Sequence, residues 1–152
     1  MNSFRKHVLI AAGGSLALLL GAFWFQYVMG LAPCKLCIWQ RWPHAAAVAI
    51  GVAAYALGAR TLAWLGAAAA ALTAAFGIYH SGVEQKFWEG PTSCTAGSAG
   101  NLSTDDFFNQ VMNAPLVQCD QIAWSMAGLS MASWNAVFSI IIALVWVRAA
   151  TR

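Results

Sequence analysis

Charge is what this 152-residue chain has least of. Eight basic and five acidic residues make up 9% of it, and 61% is hydrophobic; an average soluble domain is about 25% charged. So few charges cannot cover the apolar surface of a soluble fold of this size, so the chain reads as an integral membrane protein. The formal charge of +3 is small and its basic residues are scattered, so nothing suggests a nucleic-acid partner and none is expected. Polar sequence is equally scarce: one sizeable polar region, about 83–125, interrupts the apolar runs. Cysteine is limited to four residues. Ile38 stands where a c-type haem site, C-x-x-C-H, needs histidine, which excludes haem attachment. The length suits one integral membrane domain over residues 1–152.

What is abundant is apolar sequence in long stretches. Four can span: about 8–32, 38–59, 61–82 and 128–147. A spanning helix needs about 20 residues at 1.5 Å each, so the expected fold is an all-α membrane protein, a four-transmembrane-helix bundle. Small residues recur at helical spacing, as Gly13, Ala17 and Gly21 in the first stretch and Gly66, Ala70 and Ala74 in the third. Such rows let membrane helices approach closely, since lipid is as apolar as leucine and offers no hydrophobic drive between them.

Charge sets the orientation. With the N-terminus inside, Arg5, Lys6, Arg60, Arg148 and Arg152 are cytoplasmic, and Lys35, Arg41 and Lys86 lie outside. That modest positive-inside bias puts both termini in the cytoplasm. Gly30-Leu31-Ala32 resembles a signal-peptide cleavage site, but the apolar run is too long for one and Pro33 would follow the cut.

The 83–125 segment is then a long outside loop, where binding specificity is expected. It holds the turn-rich Gly90-Pro91-Thr92-Ser93-Cys94 and a helix start at Ser103-Thr104-Asp105-Asp106. Phe107, Phe108, Val111 and Met112 follow on one face, and Pro115 ends the element. Such a short amphipathic helix lies in the membrane interface, or packs onto the bundle.

The four cysteines fall as a tight pair, Cys34-Lys35-Leu36-Cys37, and a wide pair, Cys94 and Cys119, all on the outer side. Pro33 suits the first turn of a helix, so Cys34 and Cys37 share the face of an opening turn, with Arg41 one turn deeper. The helix dipole favours a thiolate there by up to about 2 kcal/mol, and Arg41 adds a permanent cation. An arginine just inside an apolar span is a functional candidate by default; otherwise it snorkels to the headgroups. A redox relay, a pair of structural disulfides and a four-thiolate zinc site are the readings of the cysteines. Zinc is the weakest, since one pair alone has ligand spacing. The short C-x-x-C favours the relay. His80 ends the third span and can donate to a ligand oxygen or handle a proton, or bond a loop carbonyl. His44, below Arg41, is a weaker candidate, and His7 belongs to the basic flank.

The run from Phe23 to Met29, then Pro33-Cys34-Lys35-Leu36-Cys37-Ile38-Trp39-Gln40-Arg41, resembles the bacterial disulfide bond formation protein B (DsbB) family. The likeness continues through Tyr79-His80-Ser81-Gly82-Val83-Glu84, Gly90 to Cys94, Cys119-Asp120 and Trp124, to Gly128–Asn135 at the opening of the last span. Trp39 stands where the family most often has tyrosine, an aromatic exchange. The resemblance implies a four-helix inner-membrane thiol:quinone oxidoreductase that reoxidises a periplasmic thioredoxin-fold dithiol oxidase (DsbA-like). It implies that Cys94 forms the mixed disulfide with the partner, that Cys119 exchanges with Cys34, and that Cys37 faces the quinone beside Arg41, with His80 a further quinone-binding candidate. Electrons would pass to ubiquinone or menaquinone. A related enzyme with one dedicated partner, and a non-enzymatic membrane protein with two structural disulfides, are the alternatives.

Overall fold

A computed structural model describes residues 2–92, 94, 103, 105, 108, 112 and 117–152. Among them are four long helices: α1 Ser3–Tyr27, α2 Lys35–Leu57, α3 Arg60–Glu84 and α4 Met131–Thr151. Three of these, α1, α3 and α4, are long and apolar enough to cross a membrane. The fourth, α2, carries Lys35, Gln40, Arg41 and His44 in its first ten residues, which dilutes an otherwise apolar stretch.

The helix ends follow from local chemistry and differ from the expected spans. Asn2 caps α1 by accepting from the Arg5 amide at 3.0 Å, so the helix starts before the apolar run. It stops at Tyr27, and residues 28–32 of the first expected span are not helical; Gly30 there has φ +71°, a conformation that suits glycine. Pro33 precedes α2 rather than opening it. The N-cap is Cys34, whose sulfur accepts from the Cys37 amide at 3.2 Å. Gly58, at φ +66°, closes α2 as a left-handed cap and leaves Ala59 before α3. The stretch expected to open the last span at Gly128 instead forms a two-stranded hairpin, β1 Ser125–Met126 with β2 Leu129–Ser130. Its turn, Ala127-Gly128, has both residues at positive φ, and Ser130 then caps α4.

The helices close a ring, α1 against α2, α2 against α3, α3 against α4 and α4 against α1. The large apolar side chains point outward: Leu9, Ile10, Leu20, Val52, Leu65, Leu72 and Leu144 are exposed. The interior is built of small ones, including Ala11, Ala47, Ala54, Ala63, Ala70 and Ala74, the inversion that a lipid solvent allows. Larger side chains are buried too, among them Leu36, Val8 and Val83, and the largest is Trp146. It is fully buried and lies against Gly66, where an added Cβ would come within 2.6 Å of its indole. The row Gly66, Ala70, Ala74 therefore does pack inside. The row on α1 does not: Gly13 and Ala17 are exposed, and nothing lies within 4 Å of a Cβ at Gly13 or Gly21.

Most of the interfacial helix expected after Ser103 lies outside the described residues, including Phe107 and Val111. Phe108 and Met112 are exposed.

Candidate functional site

The two cysteine pairs meet at one end of the bundle. Cys94 and Cys119 form a disulfide with their Cα atoms 5.4 Å apart, and the Cys119 amide donates to the Cys94 carbonyl at 2.6 Å. Both are buried, in a cluster with Cys34, Leu36 and Val83. The chain beyond α3 folds back to reach them. Trp88 donates its indole N–H to the Tyr79 carbonyl at 2.8 Å and covers Gly82, where any Cβ would fall on its ring. Lys86 pairs with Asp120, next to Cys119.

Cys34 and Cys37 are unbridged, with the Cys34 thiol donating to the Cys37 sulfur at 3.0 Å. That bond and burial hold Cys34 protonated, pushing its thiol well above the usual range. Cys34 is buried and Cys37 half-buried. The tight pair therefore has two sides. Cys34 packs toward the wide pair, and Cys37 opens on a cavity of about 270 Å³ between α1, α2 and α4.

The cavity is apolar over most of its wall, with Leu18, Phe25, Trp124, Met131 and Phe138 lining it. Trp124 packs on Phe25 with ring centroids 5.0 Å apart and so ties the hairpin segment to α1. Its polar groups are few: Cys37, Gln40, Arg41, His44 and Asn135. Arg41 does not snorkel freely. Its Nη1 donates to Gln26 Oε1 at 2.6 Å, and its guanidinium lies over the Phe23 ring at 5.1 Å. Its buried Nε has no partner among the described residues, nor has His44 Nδ1. A donor held without a partner beside a free sulfur suits a flat apolar ligand with carbonyl acceptors.

His80 is not part of this wall. It sits behind the sulfurs, with Nε2 at 3.1 Å from the Cys119 carbonyl and 3.5 Å from Cys34 Sγ, so it joins the two pairs rather than the ligand cavity. The alternative role read from sequence, a histidine bonded to a loop carbonyl, matches that position. His44, the weaker candidate, does line the cavity. Cys34, Cys37 and His80 also bring three potential metal-ligating atoms within 4.8 Å of one another.

Several site residues lie within the runs that carry the family resemblance but were not read as site residues from the sequence. Gln26 fixes Arg41. Gln40 donates to His80 Nδ1 at 2.9 Å, and Asn135 joins Gln40 to His44 at 2.7 and 2.9 Å. Beyond that likeness, the signal that could have found them is a carboxamide within an otherwise apolar helix, which lipid does not tolerate unpartnered. Pro43, inside α2, removes a backbone donor, and the nearby Gln40 carbonyl takes the Thr73 hydroxyl at 3.1 Å.

Residues 4–149 match the family model for disulfide bond formation protein DsbB. A disulfide bond formation protein B from Polaromonas sp. (strain JS666) is 30% identical, the match covering 97% of this chain and 91% of that protein. One from Shewanella sp. (strain MR-4) is 30% identical over 88% of this chain and 79% of its own length. A third, from Albidiferax ferrireducens, is 27% identical over 99% and 92%. With three helices able to cross a membrane and a match over nearly its whole length, the chain is a multi-pass membrane protein of the disulfide bond formation protein DsbB family.

Proposed function

We propose that this protein is a thiol:quinone oxidoreductase of the bacterial inner membrane, one domain of four spans with both termini cytoplasmic. It reoxidises a periplasmic thioredoxin-fold dithiol oxidase of the DsbA type. One observation carries the reading: the free Cys34–Cys37 pair lies between a formed disulfide, Cys94–Cys119, and an apolar cavity that Cys37 and Arg41 line. A structural role for both pairs would leave that cavity and its buried cation without a purpose.

The proposed exchanges take Cys94 as the entry thiol, as the family resemblance implies, and run in that order. A partner thiolate attacks Cys94, and Cys119 leaves as a thiolate. Cys119 attacks Cys34 of the bridged Cys34–Cys37 pair, and Cys37 leaves. The partner's second thiol displaces Cys94, which closes again on Cys119 and releases Cys34. Each exchange makes one S–S bond and breaks one. Closing Cys34–Cys37 again removes two electrons and two protons from the pair, and a bound ubiquinone or menaquinone supplies the acceptor.

The residues present fit such a ligand. A cavity of about 270 Å³ is near the lower end of ordinary small-molecule sites, about 300 Å³, and suits a ring head group. Arg41 brings a cation to the cavity wall and its buried Nε has no partner among the described residues, so the guanidinium can turn toward a ring carbonyl, and Phe25, Trp124 and Phe138 make the wall apolar. The test is quinone reduction by purified protein with a reduced thioredoxin-fold dithiol protein as donor. One quinone should be reduced for each disulfide formed, and Cys37→Ser should abolish the reaction. Thiol oxidation in step with oxygen rather than quinone would refute the assignment.

A further inference from the structure

Behind the sulfurs runs a file of polar side chains in which the sense of every hydrogen bond is fixed. Gln40 sets the first constraint. Its amide nitrogen lies 3.2 Å from the Leu36 carbonyl and 2.9 Å from His80 Nδ1. A backbone carbonyl only accepts, so this atom is the NH2 group, and His80 Nδ1 accepts from it. Neutral His80 then carries its proton on Nε2. The groups around Nε2 agree, for all are acceptors: the Cys119 carbonyl at 3.1 Å, Cys34 Sγ at 3.5 Å and Glu84 Oε1 at 3.8 Å.

The far end is fixed in the same way. Asn135 Nδ2 donates to Gln40 Oε1 at 2.7 Å and reaches the Thr73 carbonyl at 3.5 Å, so its Oδ1 accepts from His44 Nε2 at 2.9 Å. Donation therefore runs in one sense, from His44 through Asn135 and Gln40 to His80, whose single Nε2 proton is shared between the Cys119 carbonyl at 3.1 Å and the Cys34 sulfur at 3.5 Å. Cys34 in turn donates to Cys37. Gln40, His44 and His80 are buried, and aligned bonds in a low-dielectric interior strengthen one another.

We propose that Gln40 and Asn135 are positioning residues: they lock His80 as an Nε2–H donor to the Cys34 sulfur, and so make Cys37 the terminal acceptor and the sulfur on which negative charge rests. The value of such a lock rests on the reading of Cys37 as the sulfur that delivers electrons to the cavity. The titratable groups facing the file among the described residues are Cys34, Cys37 and Arg41 from α2 and Glu84 from α3; α4 supplies the neutral Asn135. The same lock disfavours a metal ion on Cys34, Cys37 and His80, because Nε2 is already protonated.

The first readout is 15N-histidine NMR of the reduced protein in micelles, with His80 assigned by its absence from His80→Phe. Wild-type His80 should have a bare Nδ1 and a protonated Nε2. Gln40→Glu replaces the donor by an acceptor, and Nδ1 should gain a proton. The second readout is the pH profile of alkylation at Cys37. Gln40→Met should move it to higher pH and slow the reaction at neutral pH about three- to tenfold, the span expected for one lost hydrogen bond. Asn135→Leu, one bond further from the sulfurs, should act in the same direction and by less. A wild-type His80 with its proton on Nδ1 overturns the proposal, as does an unchanged Cys37 profile in Gln40→Met protein of normal helix content. Neither readout involves quinone, so a failure of quinone reduction would count against the oxidoreductase reading alone.

Discussion

At the scale of single residues, Arg41 carries the clearest consequence. Its charge is spread over Gln26 Oε1 and the Phe23 ring, while its buried Nε has no partner among the described residues. Arg41→Lys keeps the cation but loses the planar fork, so quinone affinity should fall about tenfold or more, the worth of a hydrogen bond to a charged group, with Cys37 alkylation little changed. Arg41→Met should harm both, raising the apparent quinone KM and moving Cys37 alkylation to higher pH. Quinone-reduction kinetics and alkylation profiles check the two together; wild-type values in Met would reduce Arg41 to an anchor. The cysteines differ in a second way. With Cys119→Ser, a mixed disulfide through Cys94 should accumulate, since the thiol that resolves it is missing, and Cys94→Ser should give none. Non-reducing gels after incubation with the partner decide it, and equal trapping by both variants would misplace the entry thiol.

At the scale of elements, the two rows of small residues separate. Both have the same spacing, yet one packs inside, with Gly66 against Trp146, while Ala17 and Gly21 of the other line the cavity. Gly66→Ala should cost about 1–3 kcal/mol as an overpacked contact, because its Cβ meets the indole of a fully buried tryptophan. Gly13→Ala should be neutral or slightly stabilising, by up to about 1 kcal/mol from helix propensity, since nothing lies within 4 Å. Unfolding in mixed micelles measures both, and equal costs at the two positions would contradict the packing described. The N-caps of α1, α2 and α4 behave alike, while α3 starts from Ala59 with no side-chain cap. Asn2, Cys34 and Ser130 each accept from an amide three residues on, but only at Cys34 is the cap also a redox candidate. A cap is therefore what holds the first thiol of the tight pair in place.

At the scale of the whole molecule, the arrangement predicts sidedness. If both termini are cytoplasmic, a membrane-impermeant thiol reagent applied from the periplasm should label Cys94 and Cys119 after reduction. Both are almost wholly buried in the disulfide form, so labelling should require reduction first and remain weak without a denaturing step. Labelling confined to the cytoplasmic side would reverse the orientation and remove the periplasmic role with it.

Sequence alone determined what depends on composition and local spacing. Scarce charge and long apolar runs specified helices in a membrane, because every backbone polar group in lipid must be satisfied within its own segment. The C-x-x-C and Arg41 were legible because three- and four-residue steps along a helix fix which side chains share a face. Tertiary structure decided the rest. Which row of small residues packs, that His80 lies behind the sulfurs while His44 lines the cavity, and that Gln26, Gln40 and Asn135 belong to the site all depend on the rotation of one helix against its neighbour. That rotation is set by contacts between α1, α2, α3 and α4 far apart in the chain, such as Trp146 on Gly66 and Asn135 on Gln40, and no local pattern encodes it.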